Sequence, residues 1–443
     1  MQRLNTTLNS AGGWTLALTS MQQRVCVPLE EVERVIEFAR RTPDLAQYSA
    51  ELERVSLWFQ IAKRYYQQHD PQRLSDLVEF WERYRDAVIQ RFAAVTPVEL
   101  RTADKVAKAI FDHFLNRIPN ERIAYARDVR PLVYAGKGGI GSYFTHPAEW
   151  NRPVAIINLP HCAFDNVWQW LALAHETGHD TYATVIDLAK ELEDALEERM
   201  RAAVREGELQ IPAIELDLRP QGVPHVIAYS GEELIAGIWR IWANEAQADL
   251  VALLSCGGAA VLSMQQIVGF ATEAPWEVQS NSAGWSDGPE VHPTPYVRNA
   301  LNIVALRLMD ASHAELADEI ENRVVALAGP KTEITWVLGG TIPVARVPVQ
   351  QMLHSAELAA EVILNHRLEC LGNQSYSDLC RFCSADQETV DEMARYLLEG
   401  DLRFAQVPDG KSKPRLALAA TMFAFERDPS KAEQINYLFK HFV

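Results

Sequence analysis

Positive charge is scarce in this chain. Forty-two lysines and arginines face 59 aspartates and glutamates, a formal net charge of −17. Phosphate backbones and anionic bilayers require a positive surface, so neither nucleic acid nor an anionic membrane is expected as a main partner. The acidic excess reads as a well-solvated surface. Cysteine is sparse as well: six residues, at 26, 162, 256, 370, 380 and 383, scattered over 443 positions. That spread argues against a disulfide framework and for reduced thiols in a cytoplasmic protein. Long hydrophobic runs are missing. The longest uncharged stretch, LVALLSCGGAAVLSMQQIVGFAT, is interrupted by Ser255, Gly257, Gly258, Gln265 and Gln266. A spanning helix is more uniformly apolar, so a buried helix pair is expected here and no membrane span. The opening MQRLNTTLNSAGGW has no basic segment leading into an apolar core, so no secretion signal is expected. Internal repeats and low-complexity tracts are absent.

What is present has the balance of a globular protein, 48% hydrophobic and 23% charged. Between residues 28 and 118, PLEEVERVIEFARR, ELERVSLWFQIAKRYYQQ, LSDLVEFWERYRDAVIQRF and VELRTADKVAKAIFDHFLNRI repeat apolar residues at three and four, the helical spacing. The texture then turns β-rich in RIAYARD, RPLVYAGK, GSYFT and PVAIINL, set apart by glycine, proline and charge. Helical pattern returns near Phe164 and dominates to the end. The expected fold is mainly α with a small antiparallel sheet. It comprises a helical region over 1–118, a core over 119–312 and a helical region over 313–443. Gly136, Gly138, Gly139 and Gly141 lack the lysine-serine ending of a phosphate loop and read as a hairpin or flexible lip.

The chemistry concentrates in LALAHETGHDTYATV. A helix there puts His175 and His179 on one face, four residues apart, so two nitrogens can meet one metal ion. Glu176 leaves the helix about 100° away, placed to reach a water on that metal without ligating it. Zinc takes N, S or O donors in a tetrahedron and keeps one position for water in a catalytic site. A second helical segment, RIWANEAQADLVALL, carries Glu245 as third ligand for a single zinc ion. Four residues on, Asp249 would fix the tautomer of a ligand histidine. Carboxylates among Ile238, Trp239, Ile241, Trp242, Leu250 and Leu253 need a partner or a metal. His292, Tyr296 and Arg298, with Tyr229 further afield, are candidate donors to a developing oxyanion. His366, Cys370, Cys380 and Cys383 contain a CxxC, but the first pair sits in an ordinary helical stretch, so buried free thiols are expected.

HETGH followed by NEAQAD resembles the gluzincin metallopeptidases, whose pattern is HExxH with a later glutamate in ExxxD or ExxAD. Glu245 follows His179 by 66 residues, a spacing closest to that of the heat-shock membrane and CaaX prenyl-protein endopeptidases. VHPTPYVRNALNIVALRL at 291–308 is similar to their His-Pro segment and the arginine opening the next helix. The likeness spans roughly residues 100–310, without the transmembrane helices of those families. It implies a zincin-like core and hydrolysis of a protein or peptide substrate, with Glu176 as base and His292 and Arg298 as further catalytic residues. It also implies an edge strand over residues 154–159 to which a substrate peptide adds: Ala155, Ile156, Ile157 and Asn158 would line the cleft. Two other readings stand beside it. One is a catalytically silent zinc-containing interaction module; the other is a zinc hydrolase of a non-peptide amide or ester. The long flanks suggest a covered cleft and a latent enzyme. The oligomeric state is not legible.

Overall fold

The computed structural model describes residues 45–69, 85–91, 97–124, 130–136, 143–147, 154–217, 226–269, 276–279, 291–338, 342–406 and 413–443, with scattered positions between 31 and 42. The chain is mainly α-helical with small β-sheets. Among the described residues no helix is long and apolar enough to cross a membrane.

Helix α1 (Ser49–His69) and α2 (Val98–Leu115) lie where the apolar spacing puts them. The segment 74–92, expected as helix, falls within the described residues only at 85–91, of which 85–89 are helical. The glycine-rich turn lies outside them beyond Gly136. Three short strands follow: β1 (Leu132–Gly136), β2 (Phe144–His146) and β3 (Ile156–Pro160). Their order is β1-β3-β2, parallel between β1 and β3 and antiparallel between β2 and β3. The sheet is therefore mixed rather than antiparallel. The outer edge of β1 is closed by side chains. The Gln90 amide bonds both N–H and C=O of Ala135, at 2.7 Å each. Asp104 accepts from the Val133 N–H at 2.9 Å, and Arg91 donates to its carbonyl.

A 3₁₀ turn (Val167–Leu171) leads into α3 (Ala172–Thr184), which carries the HETGH motif, and α4 (Leu188–Arg205) follows. After the hairpin β4 (Ile214–Asp217) and β5 (Val226–Tyr229), α5 spans Gly231–Cys256. Its start is fixed by a capping box in which Ser230 and Glu233 satisfy each other's backbone N–H. It ends at Gly257, whose φ of 62° a Cβ would strain and whose Cβ would meet the Phe382 ring. The chain restarts as α6 (Gly258–Met264), so the uncharged stretch is a broken, buried helix pair. Then come β6 (Glu277–Gln279), α7 (Pro295–Met309), α8 (Ala314–Ala328), β7 (Glu333–Leu338), β8 (Ile342–Pro348), α9 (Val349–Asn365), α10 (Ser384–Glu399), α11 (Lys413–Arg427) and α12 (Ala432–Phe442).

The helical pattern expected beyond Phe164 is interrupted by the β6-β7-β8 sheet, in which β7 and β8 pair antiparallel. The core is one continuous cluster running from Ala103 on α2 to Phe439 on α12. Trp168, just before α3, stacks on Phe425 of α11 with ring centroids 3.9 Å apart. Asn436 of α12 accepts from the Val167 N–H at 3.0 Å. Lys440 reaches Asp165 at 2.9 Å and Glu99 at 3.4 Å. The C-terminal helices thus brace the start of the motif helix.

Candidate metal centre

Helices α3 and α5 touch backbone to backbone. A Cβ on Gly178 would sit 2.6 Å from the Cα of Ala248, so only glycine permits this approach. That contact brings His175 and His179 against Glu245. One donor atom from each of the three lies within 4.8 Å of the others, and among the described residues no other group of three could hold a metal ion. His366, Cys370, Cys380 and Cys383 form no such group; Cys370, Cys380 and Cys383 are free thiols, the first two buried.

The imidazoles are fixed from behind. His175 Nδ1 lies 2.8 Å from Asp249 Oδ1, and His179 Nδ1 lies 2.9 Å from Asn244 Oδ1. With both Nδ1 atoms donating, both Nε2 lone pairs point into the same space, 3.0 Å apart. Glu245 Oε2 stands 3.4 Å from His175 Nε2, and Glu245 Oε1 stands 3.3 Å from His179 Nε2. Four such atoms converge on one space, bordered by Arg298 Nη2 at 3.2 Å from Glu245 Oε2 and 3.3 Å from His175 Nε2. Glu245 Oε2 is buried without a hydrogen bond. Donors held about 2.1 Å from one ion at the tetrahedral angle stand about 3.4 Å apart, so these separations fit a metal ion. Charge agrees. Glu176, Glu245 and Asp249 are all buried, and Arg298 is the buried cation among them. When all three carboxylates are ionised, a divalent cation neutralises the site.

Arg298 does not reach for a substrate. Its Nε and Nη2 fork onto Asp249 at 2.7 Å each, and Nη2 stands 3.2 Å from Glu245. Asn302 donates to the same Asp249 at 3.0 Å. Burial opposes ionisation of Asp249, yet the Arg298 charge holds it far below the usual carboxylate range. Glu245 is likewise held low against burial by the neighbouring His175 and by the Arg298 charge. Burial pulls His175 down, but its bonds to Asp249 and Glu245 prevail and raise it. Burial and the charge of His175 lower His179.

Glu176 leaves α3 beside the donor set, outside it. Burial pushes its carboxyl up to about 7, while the Thr145 backbone N–H donates to it. His292 arrives from the loop before α7, half exposed, with Nε2 3.3 Å from Glu245 Oε1. Tyr296 packs its ring against Trp276, tilted by 33° with centroids 3.7 Å apart. Tyr229 ends β5, which precedes the start of α5, about 20 Å along the axis from Glu245.

The strand expected as an open edge is the central one. Residues 156–160 form β3, covered by β1 and β2, and Ala155, Ile156, Ile157 and Asn158 are all buried. Among the described residues β2 pairs only with β3, and its Thr145 N–H meets Glu176. Asn244, Asn302 and Thr145 join the site unannounced by the motifs. Of these, only Asn244 carried a signal, since it directly precedes Glu245 on the ligand helix. Comparison of the chain with known protein families, curated proteins and solved structures gives no match.

Proposed function

We propose that this protein is a zinc-dependent hydrolase of peptide bonds, built on the gluzincin plan. The carrying observation is Glu176: a buried carboxylate, held by the Thr145 N–H, beside the donor triad but outside it. A binding module has no need of such a group, whereas a general base must stand within reach of the attacking water. Zinc suits the borderline nitrogen and carboxylate donors of His175, His179 and Glu245. When bound, it polarises the substrate carbonyl and lowers the pKa of the attacking water.

The chain's own residues do the remainder. Glu176 takes a proton from the attacking water and returns it to the departing amide nitrogen. The Thr145 N–H orients that carboxylate and ties it to β2, to which an extended peptide adds as a further strand. Asp249 and Asn244 hold the histidines in the ligating tautomer, and Arg298 keeps Asp249 ionised. His292, at the exposed rim, faces the substrate.

The test is Glu176→Gln. The variant should fold, retain about one zinc per chain by elemental analysis, and lose about 10²–10⁴-fold in cleavage rate. Wild-type cleavage by the Gln variant would discard the peptidase reading in favour of a structural or docking site.

A further inference from the structure

The two ligand helices, α3 and α5, touch at Gly178 and Ala248. An α-helix turns by about 100° per residue. Counted from Gly178, His175 and His179 lie about 60° and 100° to one side of the contact, and Thr181 lies about 60° to the other. Counted from Ala248, Glu245 and Asp249 lie about 60° and 100° to one side, and Gln247 about 100° to the other. The metal donors therefore occupy one flank of the helix contact. On the opposite flank two fully buried polar side chains meet. Gln247 Nε2 donates to Thr181 Oγ1 at 3.2 Å, and Thr181 Oγ1 donates to the Gly178 carbonyl at 2.7 Å. The bonds thus run from the helix that carries Glu245 to the residue between the two histidines.

For filling space, an amide between Ala246 and Ala248 is a poor choice. Its burial costs desolvation that a methionine avoids, and one neutral hydrogen bond does little more than offset that cost. What the amide adds is direction. The Gly178–Ala248 contact is one of van der Waals surfaces; it sets how close the helices come but lets them roll and slide about it. A hydrogen bond weakens steeply once its length or angle departs from the optimum. We infer that Gln247 is a positioning residue for the metal centre. Its bond to Thr181 latches the flank opposite the donors, fixes the roll and register of α5 against α3, and so holds Glu245 at ligand distance from both histidines. Gln247 touches neither metal nor substrate and acts through Glu245. The role rests on the metal reading of the triad and is independent of the hydrolase reading.

Gln247→Met keeps the bulk and removes the amide, while Thr181 keeps its bond to Gly178. Zinc affinity, measured by competition with a chromophoric chelator, should weaken at least about tenfold, the lower end for residues that orient metal ligands. The visible absorption of the cobalt-loaded protein should change, since it reports ligand geometry. The melting temperature of the metal-free variant should stay within a few degrees of wild type. The double variant Gln247→Met, Thr181→Val should bind zinc no more weakly than Gln247→Met alone, because both changes remove one bond. Thr181→Ser keeps the hydroxyl and should bind as wild type does. Ser355→Ala is the control: it breaks another buried bond of α5, to Trp239 at 2.9 Å, and should lower stability without moving zinc affinity. Wild-type affinity in Gln247→Met overturns the inference. So does an equal weakening in Ser355→Ala, or a loss of affinity that tracks a fall in melting temperature, since either marks ordinary destabilisation. A wild-type protein that takes up neither zinc nor cobalt removes the metal centre and the latch together. Full cleavage by zinc-loaded Glu176→Gln sinks the hydrolase reading alone.

Discussion

At the scale of single residues, the centre is a problem in proton placement. Each imidazole has two nitrogens, and metal binding needs the Nε2 lone pairs free. Asp249 and Asn244 impose this by accepting from Nδ1. Asp249 also carries the Arg298 fork, so truncation removes an acceptor and leaves a buried guanidinium facing neutral rings. Asp249→Ala should weaken zinc affinity by about 10–100-fold, measured by competition with a chromophoric chelator. Affinity equal to wild type would show that Asp249 serves only Arg298. The donor triad was readable in the sequence because helical spacing is arithmetic: i and i+4 share a face. Asn302 was not, because its bond to Asp249 joins residues 53 apart in sequence, and no local pattern records which helices pack together. Arg298 was singled out as a donor to the oxyanion, but its actual partner, Asp249, depends on how α7 packs against α5 and was not legible.

At the scale of elements, the site exists because two helices come closer than side chains normally allow. Gly178 sits between the two histidines, facing Ala248 on the ligand helix. Any Cβ there must push α3 from α5 and carry the donors apart. Gly178→Ala should destabilise the fold by about 1–3 kcal/mol. It should also lower zinc content more than a control such as Gly237→Ala, whose Cβ meets open space on the same α5 helix. Equal zinc content in the two variants would show that the helix spacing is not what sets the donor geometry. The same scale explains the misplaced edge. A short apolar strand buried on both faces reads alike at the centre of a sheet and at its rim. What decides is the neighbours: the Gln90 amide and Asp104 close β1, and β1 and β2 flank β3 on either side. The β7-β8 hairpin was more legible than the helical reading allowed. EITWVL and IPVARVP are β-branched runs joined by a Gly-Gly pair, a hairpin signature.

At the scale of the whole molecule, the regions drawn at 118 and 312 share one core, so the flanking helices act as scaffold around the metal centre. His113 marks the junction. It lies on α2, bonds the Leu254 carbonyl near the end of α5, and faces Arg415 of α11 and Arg117. Arg415 in turn holds the Ser255 carbonyl at 2.6 Å and Asp386 at 3.1 Å. Burial first, then the two guanidinium charges, push His113 from its ordinary 6.5 down to about 3. The folded state therefore binds fewer protons than the unfolded state between these values. The stabilisation is complete above pH 6.5 and is lost as pH falls toward 3. From pH 7 to 5 the loss amounts to about 2 kcal/mol. His113→Gln keeps a donor for Leu254 and cannot titrate, so its stability should fall less over that interval by about the same amount. Denaturant unfolding of both proteins at pH 7 and pH 5, with the metal removed, isolates the difference. Parallel losses in the two would mean that acid acts elsewhere, with the protonated histidine accommodated beside two arginines. The expected divergence would instead make this three-helix junction, remote in sequence from the zinc motif, a determinant of how the fold tolerates acid.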